Sequence, residues 1–178
     1  RTSQLAPGTF GHKSDTRNNR SASSQSPWRF SLRRTINCAG AMGKGIALQF
    51  ARAFPEIVAP YEAACRSGAI APGKLQAIER PGLVNPKLIL NFPTKRHWRG
   101  KSRLADIDSG LLDLVRIVRE RGIRSIAIPP LGCGFGGLDW NDVRARIVRA
   151  LESLPDVRVL LFEPAGAPAA VAQPVRSA

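Results

Sequence analysis

The longest amphipathic pattern in the chain begins at Leu104 and runs to Arg121, with leucine, isoleucine and valine recurring every three or four positions. This spacing predicts a helix whose apolar face packs on a core. Ser102 is its predicted N-cap, and Gly122 stands where a glycine ends a helix. A second amphipathic helix is predicted after an N-cap at Asp139.

Two shorter helices are predicted in the first half of the chain. The first covers about residues 46–54 and is ended by Pro55. The second covers about residues 56–65 and contains Pro60. Because proline has no N–H and clashes with the preceding turn, we expect Pro60 to break or restart this helix.

Short apolar or alternating runs predict the strands. They cover residues 30–36, 75–79, 87–92, 125–129 and 157–162. The run at 125–129 is continuous, as expected for a central parallel strand that is buried on both faces. Strands that alternate with helices predict an α/β fold, with helices on both faces of a mixed, mostly parallel sheet.

The flanking segments have a different composition. Residues 1–29 are rich in Ser, Asn, Gly, Arg and Gln without apolar periodicity, and residues 165–178 are rich in Pro and Ala. We expect the first to be a disordered or atypical arm and the second a disordered tail. The folded domain should then cover residues 30–164.

Two glycine-rich segments each follow a predicted strand and open a predicted helix. One contains Gly40, Gly43 and Gly45, and the other covers residues 130–138. A glycine turn before a helix N-terminus suits a phosphate, although a glycine-rich helix entry without a ligand is the alternative. The first segment is not a Walker A loop, because Ile46 stands where Ser or Thr would be needed. Since ligands bind at the carboxyl ends of parallel strands, the two segments should face each other across one crevice.

The net charge of the chain indicates a negatively charged partner. The chain of 178 residues has 27 Lys and Arg against 13 Asp and Glu, a net charge of +14, of which +6 falls in residues 1–36. Such a balance attracts nucleic acid or a nucleotide diphosphate. The chain has three widely spaced cysteines and lacks an apolar run of about 18 residues. Both features favour a cytoplasmic protein with no membrane contact. We expect no metal and no cofactor, since His97 has only His12 as a possible histidine partner.

Three separated motifs resemble those of a macrodomain. They lie at residues 37–50, 91–99 and 128–140. More narrowly, they are similar to the DarG antitoxin branch, which is itself similar to the human terminal ADP-ribose glycohydrolase branch. The resemblance covers about residues 36–164 and implies a three-layer α/β/α fold that binds ADP-ribose. It also implies removal of ADP-ribose from thymidine in DNA, which reverses the partner toxin DarT.

The resemblance implies roles for the matching positions. Asn37 would hydrogen-bond the distal ribose, and residues 43–46 would lie along that ribose and the diphosphate. Lys95 matches the catalytic lysine of the branch. The implied ADP-ribose-binding residues are Asn37, Gly43, Lys44, Gly45, Ile46, Thr94, Leu131, Gly132, Cys133, Gly134, Phe135 and Gly136. In the second segment, backbone N–H groups would hold the phosphates, and Cys133 is expected there for its size.

Two features differ from the family pattern. Members normally begin with a strand and an aspartate that receives the adenine amino group, and residues 1–35 do not resemble that start. The human branch also has a catalytic acid in the second glycine loop, where this chain has Phe135, Gly136 and Gly137.

Cleavage of the N-glycosidic bond of ADP-ribose builds positive charge at the anomeric carbon. Lys95 could attack that carbon, if desolvation or the neighbouring Arg96 depresses its pKa. It could instead remain charged and stabilise the departing base. The sequence leaves both roles open.

The basic segment, residues 95–103, holds five Lys and Arg together with two aromatic rings. This composition suits single-stranded DNA, with phosphates on the cations and a base on the indole. The implied DNA-binding residues are Arg96, His97, Trp98 and Arg99. In the alternative, the loop is merely solvated and Trp98 packs on the core. Asp106 and Asp108 are expected to serve the N-terminus of the following helix.

The sequence therefore predicts a monomeric glycohydrolase whose substrate is ADP-ribosylated DNA, whose product is ADP-ribose and whose cognate partner is a DarT toxin. Two rival functions are a non-catalytic ADP-ribose reader and a basic nucleic-acid-binding protein.

Overall fold

A five-stranded sheet organises the described part of the chain. The structure is a computed structural model that describes residues 30–40, 42–80 and 85–164. The predicted arm at 1–29 and the predicted tail at 165–178 lie outside these residues. No helix in the described ranges is long and apolar enough to cross a membrane.

The elements follow the predicted order. The strands are β1 (Phe30–Asn37), β2 (Gln76–Glu79), β3 (Leu88–Lys95), β4 (Ser125–Ile128) and β5 (Arg158–Leu161). The helices are α1 (Gly45–Ala53), α2 (Val58–Arg66), α3 (Leu104–Glu120) and α4 (Trp140–Leu151), with a short 3-10 helix at Pro55–Ile57.

The strand order in the sheet is β2-β3-β1-β4-β5. β1 runs parallel to both of its neighbours, β3 and β4, and β5 runs parallel to β4. Only β2, at one edge of this sheet, is antiparallel to its neighbour. The predicted mixed, mostly parallel sheet is confirmed, and the carboxyl ends of β1, β3 and β4 meet at one edge.

Apolar side chains cover both faces of this sheet. Leu90 and Phe92 of β3 pack with α3 and α4 in the largest core cluster, whereas Ile89, one residue before Leu90, packs on the opposite side with Phe50 of α1. Gly110 of α3 lies directly against Phe92, because a Cβ there would be 2.3 Å from the ring. The three-layer α/β/α architecture is therefore confirmed.

Two local predictions were wrong. Pro60 does not break α2, because it lies in the first turn, where the missing N–H would have no intrahelical acceptor. Ser102 does not cap α3. The N-cap position is Arg103, whose side chain makes no capping bond within the described residues. Ser102 is buried, and its backbone N–H donates to the Gly136 carbonyl at 3.0 Å.

Two other helix signals were confirmed. Gly122 follows α3 with a φ of +58°, which a glycine adopts without strain. The Asp139 carboxylate accepts from the N–H groups of Asn141 and Asp142 at the start of α4. Capping within a few residues is thus readable from sequence, whereas burial by a distant loop is not.

Candidate functional site

Both glycine-rich segments line one crevice of about 890 Å³ at the carboxyl ends of the parallel strands. The expectation that they face each other is confirmed. The lining residues are Ile36, Asn37, Gly43, Lys44, Gly45, Ile46, Ala47, Thr94, Lys95, Trp98, Arg99, Pro129, Pro130, Gly132, Gly134, Phe135 and Gly136.

Most of the predicted site residues lie on this wall, but four do not. Leu131 is fully buried, Cys133 is half-buried, and Arg96 and His97 lie outside the crevice. The structure also places there residues to which the resemblance assigned no role. These are Ile36, Ala47, Pro129 and Pro130. They are small or apolar wall residues with no chemical signature of their own.

A buried tyrosine holds the turn at Asn37. The Tyr61 hydroxyl, on the fully buried Tyr61 of α2, donates to the Asn37 carbonyl at 2.7 Å. The Asn37 side-chain oxygen accepts from the Ala39 N–H at 2.8 Å. Tyr61 was not predicted, because a tyrosine on the apolar face of a helix reads as ordinary core.

The first glycine loop, residues 43–46, leads directly into α1. Gly45 begins the helix with a φ of +60°, and the N-cap residue Lys44 makes no side-chain capping bond to a described group. The first-turn N–H groups of α1 therefore keep their donor capacity at the crevice wall. An uncapped helix N-terminus in this position suits an anion.

The second glycine loop, residues 131–136, joins β4 to α4. Three successive N–H groups, those of Gly134, Phe135 and Gly136, donate to no acceptor in the part of the chain that the structure describes. A run of such N–H groups forms a concave anion-binding surface. This loop thus supplies donors opposite the first one.

Cys133 lies at the back of the second loop. Its thiol is directed at the Leu131 carbonyl, 3.5 Å away. Burial, and to a lesser degree the Asp139 carboxylate, raises the pKa of Cys133 to about 11. The thiol therefore stays neutral near pH 7, in keeping with a residue selected for size.

Packing excludes an acid at one position of the second loop. A Cβ at Gly136 would lie 2.2 Å from the Gly132 carbonyl oxygen and 2.3 Å from Ser102 Oγ. Both distances are far below van der Waals contact, so the loop in this form cannot carry an aspartate at position 136.

Lys95 is the ionisable side chain that reaches the second loop. β3 continues three residues beyond its predicted end, so Lys95 is the last residue of a strand and not part of a free loop. Its Nζ donates to the Phe135 carbonyl. The Phe135 ring is 3.4 Å from the Cβ position of Gly45. These contacts connect both glycine loops to the end of β3.

The basic segment places aromatic and cationic groups at the edge of the crevice. Trp98 is 49% exposed, and the Arg99 guanidinium carbon lies 4.4 Å from the centre of its ring. The centres of the His97 and Trp98 rings lie 5.5 Å apart, and the ring planes are tilted by 33° to each other. The alternative in which Trp98 packs on the core is therefore wrong.

An ion pair attaches the basic segment to α3. Arg96 Nη2 lies 3.0 Å from Oδ1 of Asp106, whose side chain is 8% exposed. This hydrogen bond, with the carboxylate charge, raises the pKa of Arg96. Asp108 pairs instead with Arg146 of α4, 3.1 Å away. The two aspartates thus do more than complement the helix N-terminus.

The described residues contain no group of three or more His, Cys, Asp or Glu arranged for a metal ion.

The fold and this crevice agree with a family comparison. The model of the Macro domain family matches residues 34–147. The chain therefore belongs to the macrodomain family.

Within that family, the resemblance to the DarG branch is confirmed. A DNA ADP-ribosyl glycohydrolase of Mycobacterium tuberculosis is 53% identical over 137 residues, which are 77% of this chain and 39% of that relative. The chain thus spans well under half the length of the curated relative. The solved macrodomain of M. tuberculosis DarG is 52% identical, with a TM-score of 0.75 over 76% of this chain and 89% of that one.

A second solved structure carries a ligand. It is Thermosipho africanus DarTG in complex with ADP-ribose, 33% identical, with a TM-score of 0.73. The match covers 82% of this chain and 40% of that chain.

Proposed function

We propose that this chain is an ADP-ribosyl glycohydrolase that removes ADP-ribose from thymidine in single-stranded DNA and so reverses a DNA ADP-ribosyltransferase toxin. The observation that carries the proposal is the continuity of one crevice. Backbone N–H donors stand on two of its walls, and Lys95, Trp98 and Arg99 stand at its edge.

The inner part of the crevice suits the ADP-ribose moiety. A diphosphate brings two negative charges, and the N-terminus of α1 and the N–H groups of residues 134–136 offer donors for them. Asn37, fixed by Tyr61, is the side chain assigned to the distal ribose. The volume of about 890 Å³ lies in the usual range for a small-molecule site. The binding role of each residue is part of the proposal.

Lys95 is the residue assigned to the chemistry. Its ammonium is held at the Phe135 carbonyl, beside the loop proposed to hold the diphosphate. In this proposal, Lys95 either attacks the anomeric carbon and displaces the base, or stays charged and stabilises the leaving base. Both roles place the reaction at the junction of the two glycine loops.

The outer part of the crevice suits single-stranded DNA. Trp98 offers a half-exposed ring beside the Arg99 guanidinium, and unpaired bases stack on such groups. Arg96 and His97, just outside the crevice, are assigned to the neighbouring phosphates. Together these groups would hold the nucleotide strand while the modified base enters the crevice.

The names of the relatives support the same substrate and partner. The curated mycobacterial relative is a DNA ADP-ribosyl glycohydrolase, and a Thermosipho relative is a fusion of a DNA ADP-ribosyl transferase with such a glycohydrolase. We propose that this chain acts as a monomer in the cytoplasm, on DNA modified by a DarT-type toxin.

The test is incubation with an oligonucleotide that is ADP-ribosylated on thymidine, followed by mass spectrometry of the oligonucleotide and of free ADP-ribose. We expect unmodified oligonucleotide and ADP-ribose as products. Lys95→Ala should bind ADP-ribose but release none, because the assigned reactive amine is gone. Lys101→Ala is the matched control, since Lys101 is an exposed lysine of the same segment outside the crevice.

Two results would support the rival functions. ADP-ribose binding without turnover would indicate a reader module. Steeply salt-dependent DNA binding that free ADP-ribose does not compete would indicate a basic nucleic-acid-binding protein.

A further inference from the structure

A buried hydroxyl without a partner lies against the second glycine loop. Ser102 is 7% exposed, and its Oγ makes no hydrogen bond to any group that the structure describes. Leaving a buried polar group unpaired is energetically unfavourable, so such groups call for a reason. Ser102 has no part in capping α3, which begins after Arg103.

The surroundings of this hydroxyl belong to the loop. The Ser102 N–H donates to the Gly136 carbonyl at 3.0 Å. Its Oγ lies 3.1 Å from the Cβ position of Gly132 and 2.3 Å from that of Gly136. Both glycines line the crevice, whereas Ser102 does not. Ser102 therefore stands behind the loop, on the side away from a ligand.

The geometry of the peptide bond explains what a hydroxyl behind the loop can do. The N–H and C=O of one planar, trans peptide point in opposite directions. When Gly134 and Phe135 turn their N–H groups towards an anion in the crevice, the carbonyls of the same two peptides, those of Cys133 and Gly134, turn towards the buried side. A carbonyl oxygen has two lone pairs, so one that already accepts a bond can accept another. The Ser102 hydroxyl is a donor on that side.

We propose that Ser102 is a positioning residue for ADP-ribose binding. In the bound form, its hydroxyl donates to the carbonyl of Cys133 or Gly134 and stabilises the conformation in which the loop N–H groups face the diphosphate. In the free form the hydroxyl has no partner. The inference rests on the proposed function only in taking the diphosphate of ADP-ribose as the anion that the loop binds.

The position of Ser102 in the chain also connects the second glycine loop to the basic segment. It directly follows the stretch that carries Lys95, Trp98 and Arg99, and its N–H bond already connects that stretch to Gly136. Tightening of the loop on ADP-ribose is thereby transmitted to the residues assigned to DNA. ADP-ribose binding should position the basic segment.

The experiment compares wild type, Ser102→Ala and the control Ser153→Ala, whose hydroxyl already donates to the Ala150 carbonyl. Calorimetric titration gives the Kd for ADP-ribose, and thermal melting gives Tm with and without it. We expect Ser102→Ala to raise the Kd about five- to tenfold, the loss of one hydrogen bond. Its Tm without ligand should equal or exceed that of wild type, because an unpaired buried hydroxyl has been removed.

Two outcomes for Ser102→Ala would overturn the inference. A Kd equal to that of wild type would show that the hydroxyl is not used in binding. A lower Tm without ligand would show that the hydroxyl already has a structural partner. Wild type that binds no ADP-ribose at all would overturn the proposed function as well, so the two failures are distinguishable.

Discussion

The two glycine loops look alike in sequence and differ in how they offer donors. Each connects a parallel strand to a helix at the same edge of the sheet. In the first, the N-cap residue of α1 is Lys44, whose side chain makes no capping bond with described groups. In the second, the Asp139 carboxylate caps α4 through two N–H groups at 2.8 and 3.2 Å.

The difference decides which N–H groups remain for a ligand. Because α1 is uncapped, its own first turn can bind an anion. In α4 the Asp139 carboxylate already accepts from two of the first N–H groups, so the donors proposed for a ligand are those of Gly134, Phe135 and Gly136 in the loop itself. One wall of the crevice thus uses a helix end, and the other uses loop peptides.

The largest effect should come from filling the second loop. Gly136→Ala places a Cβ 2.2 Å from the Gly132 carbonyl oxygen, so the loop must move. We expect ADP-ribose binding to fall below detection and stability to drop by about 1–3 kcal/mol, as for overpacking. Calorimetric titration and urea unfolding measure the two quantities.

Gly134→Ala is the matched control for stability. The Cβ position of Gly134 has nothing within 4 Å. Its free energy of unfolding should stay within about 0.5 kcal/mol of wild type. Equal behaviour of the two variants would contradict the claim that position 136 is sterically closed.

A charge reversal at the first loop should have the next largest effect. Lys44→Asp gives α1 the kind of cap that α4 has and places a carboxylate at the proposed diphosphate site. We expect the Kd for ADP-ribose to rise by about tenfold or more, while Tm is not lowered. Lys44→Ala removes the lysine without adding a carboxylate, so its Kd shows how much of the effect comes from the loss of the lysine alone. If Lys44→Asp binds as well as Lys44→Ala does, the helix end is not an anion site.

Removal of the Asp139 cap should have the reverse effect of Lys44→Asp, a loss of stability with little change in ADP-ribose binding. Asp139→Ala deletes the acceptor for the Asn141 and Asp142 N–H groups. We expect a loss of about 1 kcal/mol in stability and a Kd for ADP-ribose within about twofold of wild type. Urea unfolding and titration check this. A large loss of affinity at unchanged stability would mean that Asp139 serves the ligand and not the helix.

The smallest effect concerns the thiol of the second loop. With a pKa of about 11, only about one Cys133 thiol in a thousand is ionised at pH 8, so iodoacetamide should label it far more slowly than it labels glutathione. Peptide mapping by mass spectrometry follows the labelling. The same chain in concentrated urea should lose this protection. Fast labelling of the folded protein would show that burial does not protect the thiol.

Local sequence signals predicted most of the fold. The spacing from Leu104 to Val118 predicted α3, and the continuous run at 125–129 predicted β4. The Asp139 cap was correct because its partners lie two and three residues away. The motifs also indicated most of the crevice wall, since a glycine loop after a parallel strand can face only one edge of the sheet.

What the sequence could not show depends on distant contacts. β3 extends to Lys95 although its last residues are polar or proline, because β1 pairs alongside it. Ser102 has the residue type of a cap, but the loop of Gly136, more than thirty positions later, buries it. Tyr61, on α2, supports Asn37, the last residue of β1. None of these partners is visible in a short window of residues.

The strand order also has a consequence for biosynthesis. β1 lies between β3 and β4, both of which are translated after it. While the ribosome makes the intervening residues, β1 has no neighbour on either side from these two strands. Unpaired strand edges of a nascent chain are sites of aggregation. β1 has both of these neighbours only when Ile128 has left the exit tunnel, so until then at least one of its edges stays open to such contacts.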